Sequence, residues 1–262
     1  MAHGRVALVT GSSRGLGAEI ARRLARDGFA VAVNGRPGDD AMAAVARAIQ
    51  GDGGIARGFG ADVTAEDQVN SLVTAITSTF GPIDVLVLNA TGPQPEAPVT
   101  EVGWADHAAQ LDFFVKSPVL LGRAVLPGMQ ARRYGRIVNI DSEVAHRPPP
   151  GRSAYAAAKN AQIGLTLSWA RELGPFGITV NTVAPGFVPV ERHADVPPGG
   201  SAGLSRLGAR RPDGNARRHR PRGELSRLRR RRLRHRPAHR GRRRPQPRPL
   251  TTAIPFPARA GL

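Results

Sequence analysis

Val6-Ala7-Leu8-Val9-Thr10-Gly11-Ser12-Ser13-Arg14-Gly15-Leu16-Gly17 is the stretch that decides the fold. Four apolar residues run into a glycine-rich turn. The turn opens a segment, Ala18 to Asp27, with Ile20, Ala21, Leu24 and Ala25 at helical spacing before Gly28. A short unbroken apolar run is the pattern of a strand buried on both faces. Glycines after such a strand allow a tight turn and bring backbone N–H groups close to a pyrophosphate at the helix N-terminus. A simple strand-to-helix turn has the same look, so its meaning depends on what surrounds it.

The alternation continues outward from there. Strands are expected at Phe29 to Val33, Ala56 to Ala61, Asp84 to Leu88, Arg136 to Ile140 and Ile178 to Val183. Helices are expected at Asp40 to Gln50, Glu66 to Phe80, a long stretch from Trp104 to Arg133, and Ala154 to Leu173. Strands alternating with helices imply an α/β fold of the Rossmann type: a doubly wound parallel sheet with right-handed crossovers and helices on both faces. Ligands of such sheets bind beyond the carboxyl ends of the strands. Gly11, Asp62, Asn89, Ser142, Pro185 and Gly186 all fall there.

The glycine spacing is Gly-x-x-x-Gly-x-Gly, through Gly11, Gly15 and Gly17, with Ser13, Arg14 and Leu16 between them. Ser142 ends the fifth strand, Tyr155 follows 13 residues later, and Lys159 four after that. Positions i and i+4 share a helix face, so the phenol and ammonium point the same way. Together these motifs resemble the short-chain dehydrogenase/reductase family, and within it the 3-oxoacyl-carrier-protein reductases. The likeness extends over residues 5 to about 196.

The resemblance implies a catalytic group of Ser142, Tyr155 and Lys159, with Lys159 also holding the nicotinamide ribose. A free phenol has a pKa of about 10, and an ammonium and the oxidised nicotinamide ring both favour phenolate. Tyr155 could then exchange a proton with a substrate oxygen while Ser142 hydrogen-bonds it and the cofactor supplies hydride. Asp62-Val63 resembles the family's adenine-contacting pair. Asn89-Ala90-Thr91-Gly92 resembles its Asn-Asn-Ala-Gly turn, with Leu88 in the first Asn position and Thr91 inserted. Pro185-Gly186-Phe187-Val188 resembles the loop that closes over the nicotinamide carboxamide. The Tyr-to-Lys spacing favours ketone/alcohol chemistry over enoyl reduction.

The end of the second strand reads Asn34-Gly35-Arg36, and no acid appears before Asp39. An acid there would bind the ribose 2′-hydroxyl of NAD. Arg14 and Arg36 instead suit a 2′-phosphate, because a guanidinium presents a forked set of donors. The cofactor expected is NADP(H), with Asn34 and Arg36 among its contacts. One departure from the family stands out. Its helix Asn, which supports a relay water near the Lys, has no counterpart between Asn89 and Asn139. The slot falls within Gln110 to Ser117, where Lys116 is one candidate and a surface lysine is the plainer reading of it.

Charge divides the chain in two. Residues 1–200 hold 18 basic and 18 acidic residues; residues 201–262 hold 20 basic residues and only Asp213 and Glu224. The expected organisation is a catalytic domain over 1–200 and a basic low-complexity tail over 201–262. By composition the tail is disordered, with nonspecific affinity for nucleic acid. It also permits a different origin. Shifted by one base in a GC-rich gene, the codons of Gly208 to Pro247 permit a helix, then Ser-Val-Thr-Gly-Gln, then a strand ending Asp-Gly-Gly. That resembles the family's own C-terminal segment, with a junction near Pro197-Pro198-Gly199-Gly200.

With no cysteine, disulfides and cysteine zinc sites are excluded, and the histidines lack metal-ligand spacing. No apolar run approaches 18 residues, and Val6 to Val9 is too short for a signal peptide. A cytoplasmic homo-oligomer without membrane contact is expected, acting on a small or carrier-bound keto substrate. The rival classes are a nucleic-acid-binding protein acting through the arginine tail, and a noncatalytic relative lacking the helix Asn.

Overall fold

Strand β1 (Val6–Val9) is wholly buried, and so is β2 (Ala30–Gly35) beside it. Among the described residues, six strands pair in parallel in the order β3-β2-β1-β4-β5-β6, where β3 is Ile55–Gly60, β4 Ile83–Leu88, β5 Gly135–Ile140 and β6 Ile178–Val183. The computed structural model describes residues 4–185. The basic tail, the proposed junction, Gly186 and Val188 lie outside the described residues.

The strand order reverses between β1 and β4. Their registers align Val9 with Val33 on one side and with Val87 on the other. The crevice beyond these ends is the topological switch point, where α/β sheets bind ligands.

Side-chain alternation splits the core in two. Val6 and Leu8 face one side, where α3 (Glu66–Phe80), α5 (Ser117–Arg132) and α6 (Ser153–Leu173) pack through Val69, Leu72, Leu121, Met129 and Leu173. Ala7 and Val9 face the other, against Ala18, Ala21 and Ala25 of α1 (Gly15–Arg26) and Val45 and Ile49 of α2 (Asp40–Gly51). The second face is covered unevenly. Val138 and Ile140 of β5 are only partly buried there, and Val183 of β6 is 51% exposed. Among the described residues no helix lies over that end of the second face.

The expected elements are present, with one internal change. The stretch from Trp104 to Arg132 is not one regular helix: α4 (Trp104–Leu111) passes through a π-turn, Asp112–Lys116, before α5. A π-turn adds a residue to the ladder and rotates the faces on either side of it, and such turns often occur at functional sites.

Candidate active site

The glycine loop lies between β1 and α1. Gly11 has φ 60°, which favours glycine. A Cβ on Gly17 would meet the Gly11 carbonyl oxygen and the Asn89 amide. The substitution Gly17→Ala should therefore lower stability by about 1–3 kcal/mol, the usual range for overpacking, as read by thermal or urea unfolding. Arg14 precedes α1 without capping it by a side-chain hydrogen bond, which leaves first-turn amides at Gly15, Leu16 and Gly17 suited to an anion.

Two residues brace this loop. Asn34 is buried; its Oδ1 accepts from the Gly11 N–H at 3.3 Å and its Nδ2 donates to the carbonyls of Gly35, Phe59 and Ala61. Its polar atoms are thus engaged by protein, so the expected cofactor contact becomes a supporting role. Asn89 Nδ2 donates to the carbonyls of Thr10 and Gly11, while the N–H groups of Asn89 and Ala90 donate to Thr10 Oγ1. Sequence reading passed over Thr10, which joins β1 to β4 across the switch point. Asp62 holds its own turn: the Thr64 N–H and hydroxyl both donate to Oδ1, which keeps the carboxyl below its ordinary pKa. The Val63 side chain is part of the core.

The end of β2 contains a finding that spacing concealed. Arg36 is exposed, and Asp39 turns back toward the glycine loop. Its carboxylate lies 3.4 Å from Arg14 Nη2 and also accepts from the Ala41 N–H at the start of α2. The Ser13 hydroxyl is the main cause of its lowered pKa, followed among the stabilising groups by the Ala41 amide and Arg14. An acid thus neighbours the position read as a phosphate site, already paired with one of its two arginines.

The catalytic candidates converge at the carboxyl end of β5. Lys159 Nζ donates to the Ile140 carbonyl, two residues before Ser142, and to Gln162 Oε1 at 3.1 Å. It lies 5.8 Å from the centre of the Tyr155 ring. Ser142 Oγ accepts from the Val144 N–H and starts a short 3₁₀ turn, Glu143–Ala145. Asn160 Nδ2 donates to the Ala145 carbonyl and ties that turn to α6. Lys159 is only 2% exposed, and burial, partly offset by Asp141, pushes its ammonium down to about 7. Ser142, Tyr155 and Lys159 are therefore gathered on adjoining elements. Pro185 closes the described part of the chain just after β6.

The slot for the missing helix Asn is also resolved. Phe114, in the π-turn, packs edge-on against Tyr155 with ring centres 5.4 Å apart, and Lys159 Nζ sits 3.8 Å from its ring centre. Lys116 does not take the Asn's place: it is half exposed and 4.0 Å from Asp112. Phe114 offers the ammonium a π face where an amide would offer hydrogen bonds.

A family profile described as short chain dehydrogenase matches residues 5–198. The chain belongs to the short-chain dehydrogenase family. Among curated relatives, the short-chain reductase protein NovJ of Streptomyces niveus is 43% identical over 183 residues, covering 70% of this chain and 69% of that protein. The 3-oxoacyl-[acyl-carrier-protein] reductase FabG of Vibrio cholerae is 41% identical over 187 residues, covering 71% and 74%. A metagenomic short-chain oxidoreductase solved in complex with NADP superposes with a TM-score of 0.66 at 37% identity, over 70% of this chain and 83% of that one. A gluconate 5-dehydrogenase from Burkholderia cenocepacia, in complex with NADP and tartrate, gives 0.72 at 33% identity, over 78% and 80%. As a short-chain dehydrogenase the chain is an oxidoreductase. Among its described residues no cluster of three or more His, Asp or Glu could hold a metal, and no helix is long and apolar enough to cross a membrane.

Proposed function

We propose that this short-chain dehydrogenase reduces a keto group with NADPH, on a small or carrier-bound substrate. The observation that supports this most is the seating of Lys159: its ammonium is held at the Ile140 carbonyl, beside Tyr155 and two residues from Ser142. NADPH, when bound, supplies the hydride. Gly11, Ser13, Gly15, Leu16 and Gly17 would hold its pyrophosphate, with Asp62 and Val63 near the adenine, Asn89 and Ala90 beside the ribose, and Pro185, Gly186 and Val188 at the nicotinamide. Tyr155 gives its proton to the substrate oxygen, and Ser142 donates a hydrogen bond to that oxygen. The nearby ammonium of Lys159 favours departure of the Tyr155 proton. A carrier-bound substrate accords with the relative named for 3-oxoacyl-[acyl-carrier-protein] reduction, and homo-oligomerisation belongs to the same reading.

Cofactor choice is the accessible test. Arg14 and Arg36 offer two guanidiniums at the end of β2, and the two structural relatives above were solved with NADP. A 2′-phosphate would compete with Asp39 for Arg14 and meet Arg36 directly. NADPH should give a higher kcat/KM than NADH, and Arg36→Asp should reduce or reverse that ratio. Equal use of the two cofactors by a folded, frame-restored enzyme would defeat the reading.

A further inference from the structure

The ammonium of Lys159 is buried, and a buried charge requires acceptors and a countercharge. The π-turn supplies neither, since Phe114 offers only its ring face. Both come from the other side, where β5 meets α6. Along α6, Tyr155, Lys159, Gln162 and Thr166 follow one another at helical spacing on one stripe, and the last three are buried. Apolar residues normally fill such a stripe.

The polarity of this cluster is fixed by its far end. Thr166 Oγ1 donates to the Gln162 carbonyl at 2.9 Å. Having used its proton there, it accepts from Asn139 Nδ2 at 2.8 Å. Asn139 therefore turns its Oδ1 toward Gln162, which donates to it from Nε2 at 3.4 Å. Gln162 is left with its carbonyl oxygen toward Lys159, at 3.1 Å. A hydroxyl–carbonyl bond one turn along α6 thus decides that Lys159 meets an acceptor and not a second donor.

Asp141 completes the setting. It is 5% exposed, and neither carboxylate oxygen has a hydrogen-bond partner within ordinary geometry among the described residues. It directly follows Ile140, whose carbonyl holds Lys159, and its own N–H donates to the Val183 carbonyl of β6. Desolvation raises its pKa, and the Ser142 amide, Lys159 and His146 act against that rise. The other ionic side chains nearby are engaged elsewhere: Glu143 with Arg147, and Asp112 with Lys116. Among the described residues, Tyr155 is the remaining titratable group beside Lys159.

We propose that Gln162 and Asp141 are positioning residues of the reaction, Gln162 seating the Lys159 ammonium through its oriented carbonyl and Asp141 supplying the countercharge. This rests on the reading of Lys159 as a catalytic residue. Both act through the lysine.

The full chain has only two lysines, Lys116 and Lys159, which makes a direct measurement possible. In protein labelled with ¹³C at the lysine ε-carbon, two signals titrate, and Lys116→Arg assigns them. The Lys159 signal should titrate near pH 7 in the parent chain. In Gln162→Leu and in Asp141→Asn its midpoint should fall by about one pH unit, because the charged form loses an acceptor or its countercharge. In Gln162→Glu it should rise, since a carboxylate replaces the amide. Thr166→Val, nearly isosteric, should lower it by releasing the amide to rotate, and carries the test if Gln162→Leu does not fold. Unchanged midpoints, or the same direction for the Leu and Glu variants, would overturn the proposal. Failure of the underlying functional reading is separate: it would appear as undiminished turnover in Tyr155→Phe, whatever the lysine midpoint does.

Discussion

Deleting one base near the codons of Pro198 to Gly200, or adding two, should convert a poorly soluble or weakly active chain into a soluble, active one. Three observations motivate this hypothesis. The family match stops at residue 198, and the relatives described above are covered over only 69% and 74% of their lengths. The shifted frame of Gly208 to Pro247 permits a helix and a strand ending Asp-Gly-Gly. The structure also has a place for such elements. Face two of the sheet is closed by α1 and α2 over β1 to β3, yet Val138, Ile140 and Val183 remain partly or largely exposed at the β5–β6 end. A further helix and parallel strand would cover that apolar surface and pair the β6 edge. The arginine-rich segment could do so only by burying unpaired charges. Soluble yield should rise several-fold, the scale on which small stability gains change abundance. Sequencing the gene is the decisive check: stop codons in the shifted frame, or no strand ending Asp-Gly-Gly, would leave the tail a true basic extension.

Tyr155→Phe should lower turnover by about 10²-fold or more while leaving NADPH binding near the parent value. The substitution keeps the ring and hence its edge-on packing against Phe114, 5.4 Å away centre to centre, so the fold should persist. What is removed is the exchangeable proton beside the Lys159 ammonium. Single-turnover reduction measured alongside NADPH fluorescence titration separates the two effects. Loss of binding together with turnover would point to a structural role for the ring, and near-normal turnover would exclude Tyr155 as the proton donor.

Much of this was legible without coordinates. Apolar runs such as Val6 to Val9 and periodic segments such as Glu66 to Phe80 report burial directly, because a strand repeats every two residues and a helix every 3.6. The glycine loop and the Tyr155–Lys159 pair are also local, set by backbone turns and by one helix face. The long helix misread its own middle. Nothing in Asp112-Phe113-Phe114-Val115-Lys116 announces a π-turn, because one extra residue leaves the apolar content unchanged and alters only the direction in which it points. Asp39 was visible as the first acid after β2, but its pairing with Arg14 was not, because only the turn at Arg36 to Gly38 brings it back to the glycine loop.

Gln162 left a readable trace, a polar residue on the buried stripe with Tyr155, Lys159 and Thr166. Its role was not readable, because the orientation of an amide depends on partners in another element, here Asn139 on β5. The same holds for Asp141, whose burial follows from how α6 packs against the end of β5. Local pattern was enough to place the strands and helices and the glycine-rich turn after β1, and to group Ser142, Tyr155 and Lys159 as candidates. Tertiary structure alone decided what surrounds that amine: an aromatic face from Phe114, an oriented carbonyl from Gln162 and the unpartnered carboxylate of Asp141. Local pattern follows from the geometry of one backbone segment, whereas these contacts exist only once parallel pairing sets β5 beside β4 and packs α6 against it.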